Sequence, residues 1–374
     1  MSPERMRIVV AGMLTAVPRQ GGATWAVLQY VLGLRRLGHE VIVVEEVERE
    51  GFAAAAERFA ALAGEFELGP HAAVIERGTG ATAGLPRADL LRAARGADLL
   101  LNLSGTLTDE DVLAAVRLRV FVDLDPAFTQ LWHAAEGVDM GFGRHDRFVT
   151  IGRAIGRPGC DVPTCGRDWI TTPQPIVLDH WPRAGAVIHD GLTTVGHWRA
   201  YGSIHHDGVH YGQKAHALRP LIDIPSRARA PFLLALGIHP GEREDLAALD
   251  QHGWHLVDPG AVAGTPADYR AFVQGSWAEF GLAKLGYVAS RCGWFSDRSL
   301  CYLASGRPVV AQDTGFGAWV PTGDGLFAFS TADDVAAAVD ALHADYPRHR
   351  RAAREIAEMI FDSDRVLPEL LACL

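Results

Sequence analysis

An α/β protein with two doubly wound parallel sheets in series is the fold class this chain predicts. Apolar, β-rich runs alternate with stretches of helical periodicity along most of its length. A Pro- and Trp-rich passage at 171–187 interrupts that rhythm once, and the alternation then restarts. A length of 374 residues also favours two cores over one.

The first half opens with the strand candidate "MRIVVAG" (6–12), ending at Gly12. A Gly-rich loop leads to "TWAVLQYVLGLRRLG", where Leu28, Val31, Leu32 and Arg35 recur at helical spacing and Gly38 supplies a stop. Further strands are expected at 39–46, 97–104, 118–125 and 146–152. After the break they are expected at 192–198, 231–237, 254–258, 285–290, 307–313 and 325–330. Between these, "TPADYRAFVQGSWAEF" and "DDVAAAVDALHADY" read as helices, as do the last forty residues. The expected domains are 1–185 and 186–355, facing each other across a cleft in which ligands of doubly wound sheets bind.

Hydrophobic residues at 48% and charged residues at 21% describe an ordinary globular enzyme. The formal charge of −10 argues against a nucleic-acid or anionic-membrane partner. No apolar run is long enough for a membrane span, and the start lacks a secretory signal pattern. Five sparse cysteines fit reduced thiols, so a cytoplasmic location is expected. Cys160 and Cys165 have no second pair at matching spacing, and His205, His206, Asp207 and His210 form no strict ligand motif. Both groups read as loop residues, and no metal site is assigned.

The stretch "GWFSDRSLCYLASGRPVVAQDTGFG" (293–317) carries the strongest chemical signal. Ser296 is placed to cap a short helix whose first N–H groups, at Asp297, Arg298 and Ser299, face an anion. With its surroundings, "YVASRCGWFSDRSLCYLASGRPVVAQDTGF" then "GDGLFAFSTADDVAAAVDAL", it resembles the C-terminal domain of GT-B glycosyltransferases of the group 1 kind. The likeness covers about eighty residues: Ser290–Arg291, Phe295–Ser296, the run Ser305 to Val310, and the Asp313-Thr314-Gly315 loop match the family pattern.

That resemblance implies a GT-B fold, with a terminal helix (356–374) crossing back to the first domain. It implies a glycosyltransferase that uses a nucleotide-diphosphate sugar as co-substrate, with no further cofactor and no metal. The acceptor would be a small molecule or glycan offering a hydroxyl or amine, and a homodimer is carried as a candidate state. The donor phosphates would meet Arg199 and Lys214, the helix start at 296–299, the loop 313–315, and the Gly21–Gly22 turn of the first domain. Lys214 would also offset charge on the leaving phosphate. One departure stands out: the family's two Glu positions are Gly293 and Cys301 here, so Asp297, one turn before Cys301, is assigned to the ribose.

In the first half, Asp123 and Asp125 close a strand at its carboxyl end, where catalytic groups of open sheets gather. Asp125 is the first candidate base for the acceptor, and His145, followed by Asp146, the second. Other readings are a nucleotide-sugar 2-epimerase and a non-catalytic sugar-nucleotide sensor. An NAD-dependent oxidoreductase would suit Glu45 and Glu46 at the end of the second strand, but "AGMLTAVPRQGG" lacks the G-x-G-x-x-G turn.

Overall fold

The computed structural model describes residues 5–374. The first half forms an eight-stranded sheet from β1 (Arg7–Ala11), β2 (Glu40–Val47), β3 (Ala72–Glu76), β4 (Thr82–Gly84), β5 (Leu99–Leu103), β6 (Arg119–Asp123), β7 (Arg147–Thr150) and β8 (Trp169–Thr171). Their order is β4-β3-β2-β1-β5-β6-β7-β8, parallel except for β4. The second half contributes β9 (His189–His197), a hairpin of β10 (Ile204–His206) and β11 (Val209–Tyr211), then β12 (Phe232–Gly237), β13 (His255–Leu256), β14 (Ser276–Gly281), β15 (Val309–Gln312) and β16 (Leu326–Phe329). Its six-stranded parallel sheet runs β13-β12-β9-β14-β15-β16. In each sheet the chain works outward from its first strand, then returns to that strand's other side. The switch points lie between β1 and β5 and between β9 and β14, where a crevice opens at the carboxyl ends.

Two expected elements are corrected. Residues 285–290 form a helix, Leu285–Ser290, and the strand belongs to Ser276–Gly281. All six residues of β14 are buried, so it shows no in–out alternation and merged with the helical pattern of Pro266–Gly275 before it. Gly286 marks the true helix: a Cβ there would lie 2.5 Å from the Phe128 ring.

The passage expected as a linker is a clamped strap. Trp181 is fully buried, and the strap's carbonyls are held by three arginines of the second half. Arg307, itself fully buried, donates to Gly185 and Ala186 at 3.1 and 2.9 Å and to Gln274 at 2.6 Å. Arg350 donates to Ala184, and Arg354 to Trp181 and Ala304. The chain then returns to the first half, where Ile176 and Ser363 exchange backbone bonds with Phe361 and Ile176. The last helix, Ser363–Ala372, lies along Gly21–Arg36, pressing Leu367 onto Gly33, and Arg36 pairs with Asp364 at 2.9 Å.

Arg307→Met keeps the buried stem and strands the strap carbonyls. The variant should lose on the order of 3 kcal/mol, read as a lower urea midpoint. An unchanged midpoint would show that the strap does not depend on this residue.

Candidate functional site

The loops leaving β9 and β14 meet the loop after β1 across a cavity of about 360 Å³. Val195 and Gly196, at the end of β9, line it together with Lys214, Lys284, Asp297 and Arg298. From the first half come Gln20 and Gly22. The two halves touch beside it: Gly21 N donates to Ala263 O at 3.1 Å, and Trp25 Nε1 to Pro266 O at 2.8 Å. A Cβ on Gly21 would lie 2.1 Å from Thr265 O, and one on Gly22 2.8 Å from the Tyr269 ring. Both glycines therefore let the start of the first helix press on the second half, and only Gly22 lines the cavity.

Arg298 is buried in the helix Asp297–Ala304 and reaches down to the sheet. Its Nε donates to Glu279 of β14 at 2.6 Å, and Nη1 donates to the Val195 carbonyl at 3.1 Å. Nη2, buried as well, has no partner among the described residues. Lys214 opens the short helix Lys214–Leu218, and its amine sits over Gly196, where a Cβ would come within 3.3 Å of Nζ. Among the described residues no carboxylate pairs with it. Burial first, then the charges of Arg298 and Lys284, bring its pKa down to about 7. His197 lines the same cavity and is held below its ordinary value by burial, then by Lys214 and Lys284. Asp297 is the carboxylate on this wall.

Lys284 follows β14 and has a partner from the other half. Its ammonium pairs with Asp125 at 2.9 and 3.1 Å, inside a box made by Tyr201, Phe128 and Tyr287 at 4.2, 5.0 and 5.2 Å. The Tyr201 and Tyr287 hydroxyls also donate to Asp125. Both phenols are held well above their ordinary range by burial, then by the Asp125 charge.

Several expected roles are corrected. Asp125 accepts from Lys284 and from both phenols, so it stands here as a clasp between the halves rather than as a free base. Asp123 is buried beneath it and holds Thr129, Gln130 and Thr150. His145 is interior, with contacts of 3.0 Å to Asn102 and 2.8 Å to the Gly141 carbonyl, its pKa lowered by burial. Asp146 pairs with Arg119. Arg199 is drawn away by Glu242 at 2.5 Å, and Lys284 stands on the cavity instead. Ser296 caps the helix as expected, accepting from Arg298 N at 3.2 Å, which uses one of the N–H groups assigned to the anion. Ser299 is buried on the Glu279 side.

The loop Asp313-Thr314-Gly315 braces a neighbouring turn: Asp313 accepts from Gly315 N and pairs with Arg291, and Thr314 donates to the Trp294 carbonyl. Glu45 grips the N–H groups of Leu14, Thr15 and Ala16, and Glu46 those of Thr108 and Asp109, so neither awaits a ribose. Among the described residues no three metal-ligating side chains converge, and the nearest histidine pair is His205–His210 at 2.8 Å.

Sequence reasoning missed Lys284, Tyr201 and Tyr287. Lys284 stood before a supposed strand; with β14 placed correctly, it follows a carboxyl end, the position that would have marked it.

No family model matches the chain, and no curated protein is similar to it in sequence. Solved structures match along the whole fold. An alpha-glucosyltransferase in complex with UDP and a 13-mer DNA containing an HMU base superposes with a TM-score of 0.62 at 12% identity, covering 98% of this chain and 99% of that one. Its complex with UDP-glucose and DNA containing an abasic site gives 0.59 at 12% identity, with 99% of both chains covered. Anabaena HepE in complex with UDP and glucose gives 0.58 at 14% identity, covering 99% and 100%. The fold is the GT-B fold of glycosyltransferases.

The DNA in two of these structures overturns the exclusion of nucleic acid drawn from net charge. A charge of −10 spread over the molecule does not describe what a single cleft of this architecture admits. Among the described residues no helix is long and apolar enough to cross a membrane.

The Lys214 amine has its ordinary pKa of 10.5 when unfolded, and burial lowers it to about 7 in the folded chain. Between those values the unfolded chain holds more protons, so this group makes stability rise with pH; below that window its full cost remains. Lys214→Met should therefore melt higher than the parent at pH 7, and should lose much of the parent's gain toward pH 10. Parallel melting curves across that range decide it, and a variant that melts lower at pH 7 would show the amine to be structural.

Proposed function

We propose that this chain is a glycosyltransferase that moves a sugar from a nucleoside-diphosphate sugar to an acceptor. The observation that carries the reading is an unpaired amine, Lys214, beside the unpartnered Arg298 Nη2 at the switch point of the second sheet. Two cationic donors with unused hydrogen-bonding capacity suit a diphosphate. The likeness of the fold to UDP-binding glucosyltransferases supports that reading and makes UDP the first nucleotide to try.

In this reading the pyrophosphate lies along Lys214, Arg298 and the helix start at Asp297. As the glycosidic bond breaks, negative charge grows on the distal phosphate oxygen. Lys214 answers it most strongly, because among the described residues no carboxylate is paired with it and the cavity screens it poorly. Asp297 accepts from the ribose hydroxyls. These protein cations supply the positive charge, so neither a metal nor a further cofactor is assigned. Supply of nucleotide sugar and five unpaired cysteines favour a cytoplasmic setting.

Calorimetric titration with a panel of nucleoside diphosphates tests the donor site. Asp297→Ala should weaken the preferred nucleotide on the order of ten- to a hundred-fold, the worth of a charge-assisted hydrogen bond. Lys214→Met should lower turnover more than donor affinity. Transfer should survive chelation of divalent ions. Oligosaccharide and DNA acceptors belong in the same assay, with free sugar release scored separately to identify an epimerase or hydrolase. A chain that binds no nucleotide would defeat the proposal.

A further inference from the structure

Resting on that reading, we infer that Asp125 is a built-in stand-in for the donor's distal phosphate. Its carboxylate holds Lys284 in the absence of donor, and the arriving phosphate draws Lys284 from it. Asp125 thereby sets donor affinity from the opposite half of the molecule.

The geometry supports an exchange rather than a fixed ion pair. Lys284 lines the cavity while it pairs with Asp125, so one side chain is within reach of both anions. Its charge is felt by Lys214 and His197, two basic groups at this end of β9. Lys284 also donates to the Tyr201 hydroxyl, and it lies near the rings of Phe128 and Tyr287, so part of its surroundings is aromatic contact that tolerates a shift in its position better than hydrogen bonds do.

What is left behind also matters. A buried carboxylate that loses its cation is costly unless donors remain. Asp125 keeps two, the Tyr201 and Tyr287 hydroxyls, one on each oxygen, together with its half-buried contact with solvent. Both phenols stay protonated beside it, since burial and then Asp125 itself raise their pKa values. Two tyrosines and an ammonium on one aspartate exceed what a simple ion pair needs. They are what a carboxylate needs if it is to survive losing the ammonium.

The test is a double-mutant cycle on Asp125→Asn and Lys284→Met, read as affinity for UDP-glucose, or the preferred nucleotide sugar, by calorimetry. Asp125→Asn should tighten donor binding about tenfold in the parent and leave it unchanged in the Lys284→Met background. A gain that persists without Lys284 would be a long-range charge effect and would overturn the exchange. So would unchanged or weaker binding in Asp125→Asn with an intact melting curve. Tyr287→Phe keeps every charge, removes a donor to Asp125 that does not bond Lys284, and serves if Asp125→Asn does not fold. Removing a donor that supports the vacated carboxylate should weaken donor binding several-fold, again only when Lys284 is present; unchanged affinity would overturn the proposal. A parent chain that binds no nucleotide sugar brings this proposal down with the function it rests on. Binding without the predicted coupling brings down the exchange alone.

Discussion

A guanidinium buried beneath a helix start is the constraint on which the rest of the site depends. Arg298 and Glu279 are nearly withdrawn from water, with side-chain exposures of 9% and 0%. Such a pair gains little over apolar packing, but losing either member alone strands a buried charge. Its geometry is therefore enforced. Nε on Glu279 ties the helix Asp297–Ala304 to β14, and Nη1 on the Val195 carbonyl ties it to the end of β9. One side chain thus fixes the helix start over the switch between those strands. Below it, Thr193 bonds Ser276 and Tyr302 at 2.7 and 2.6 Å, locking the same two strands and the same helix.

With the helix start fixed, the remaining cations take their places around it. Among the described residues no carboxylate pairs with Lys214, so its buried charge is held at a cost that an anion would relieve. Arg298 Nη2 adds a donor that has no partner among the described residues. The first half contributes closeness more than charge, because Gly21 and Gly22 bring its helix start against Thr265 and Tyr269 with no side chain between. Arg19 closes the rim on Asp258 at 2.9 Å, an exposed pair of small worth compared with the buried contacts behind it.

The architecture was legible because parallel strands announce themselves as apolar runs, and both sheets have many. It failed at β14, where a helix runs directly into a fully buried strand and neither period has room to assert itself. That one slip hid Lys284. The helix cap at Ser296 and the cavity positions of Lys214, Asp297 and Arg298 were readable because local chemistry and strand ends specify them. Arg199, His145 and Asp125 were not, since their fates depend on Glu242, Asn102 and Lys284, partners distant in sequence. Residue type and position at a strand end nominate a candidate. They do not reveal which neighbour has already claimed it.

The absence of the two expected glutamates has a packing cause. Gly293 has φ +74, and a Cβ there would meet the Ala154 backbone nitrogen at 3.1 Å, with Ala154 N donating to the Cys292 carbonyl at 2.9 Å. The first half's backbone occupies the space through which a longer side chain would leave. Cys301 is buried, its thiol on the Asp297 carbonyl at 3.4 Å, and burial followed by Asp297 holds it protonated. A carboxylate at 301 would be buried beside Asp297, a like charge, while the nearby Arg298 is already engaged by Glu279. Both departures therefore follow from how closely the halves pack along this helix. Asp297, one turn earlier and open to the cavity, is where that packing still admits a negative charge.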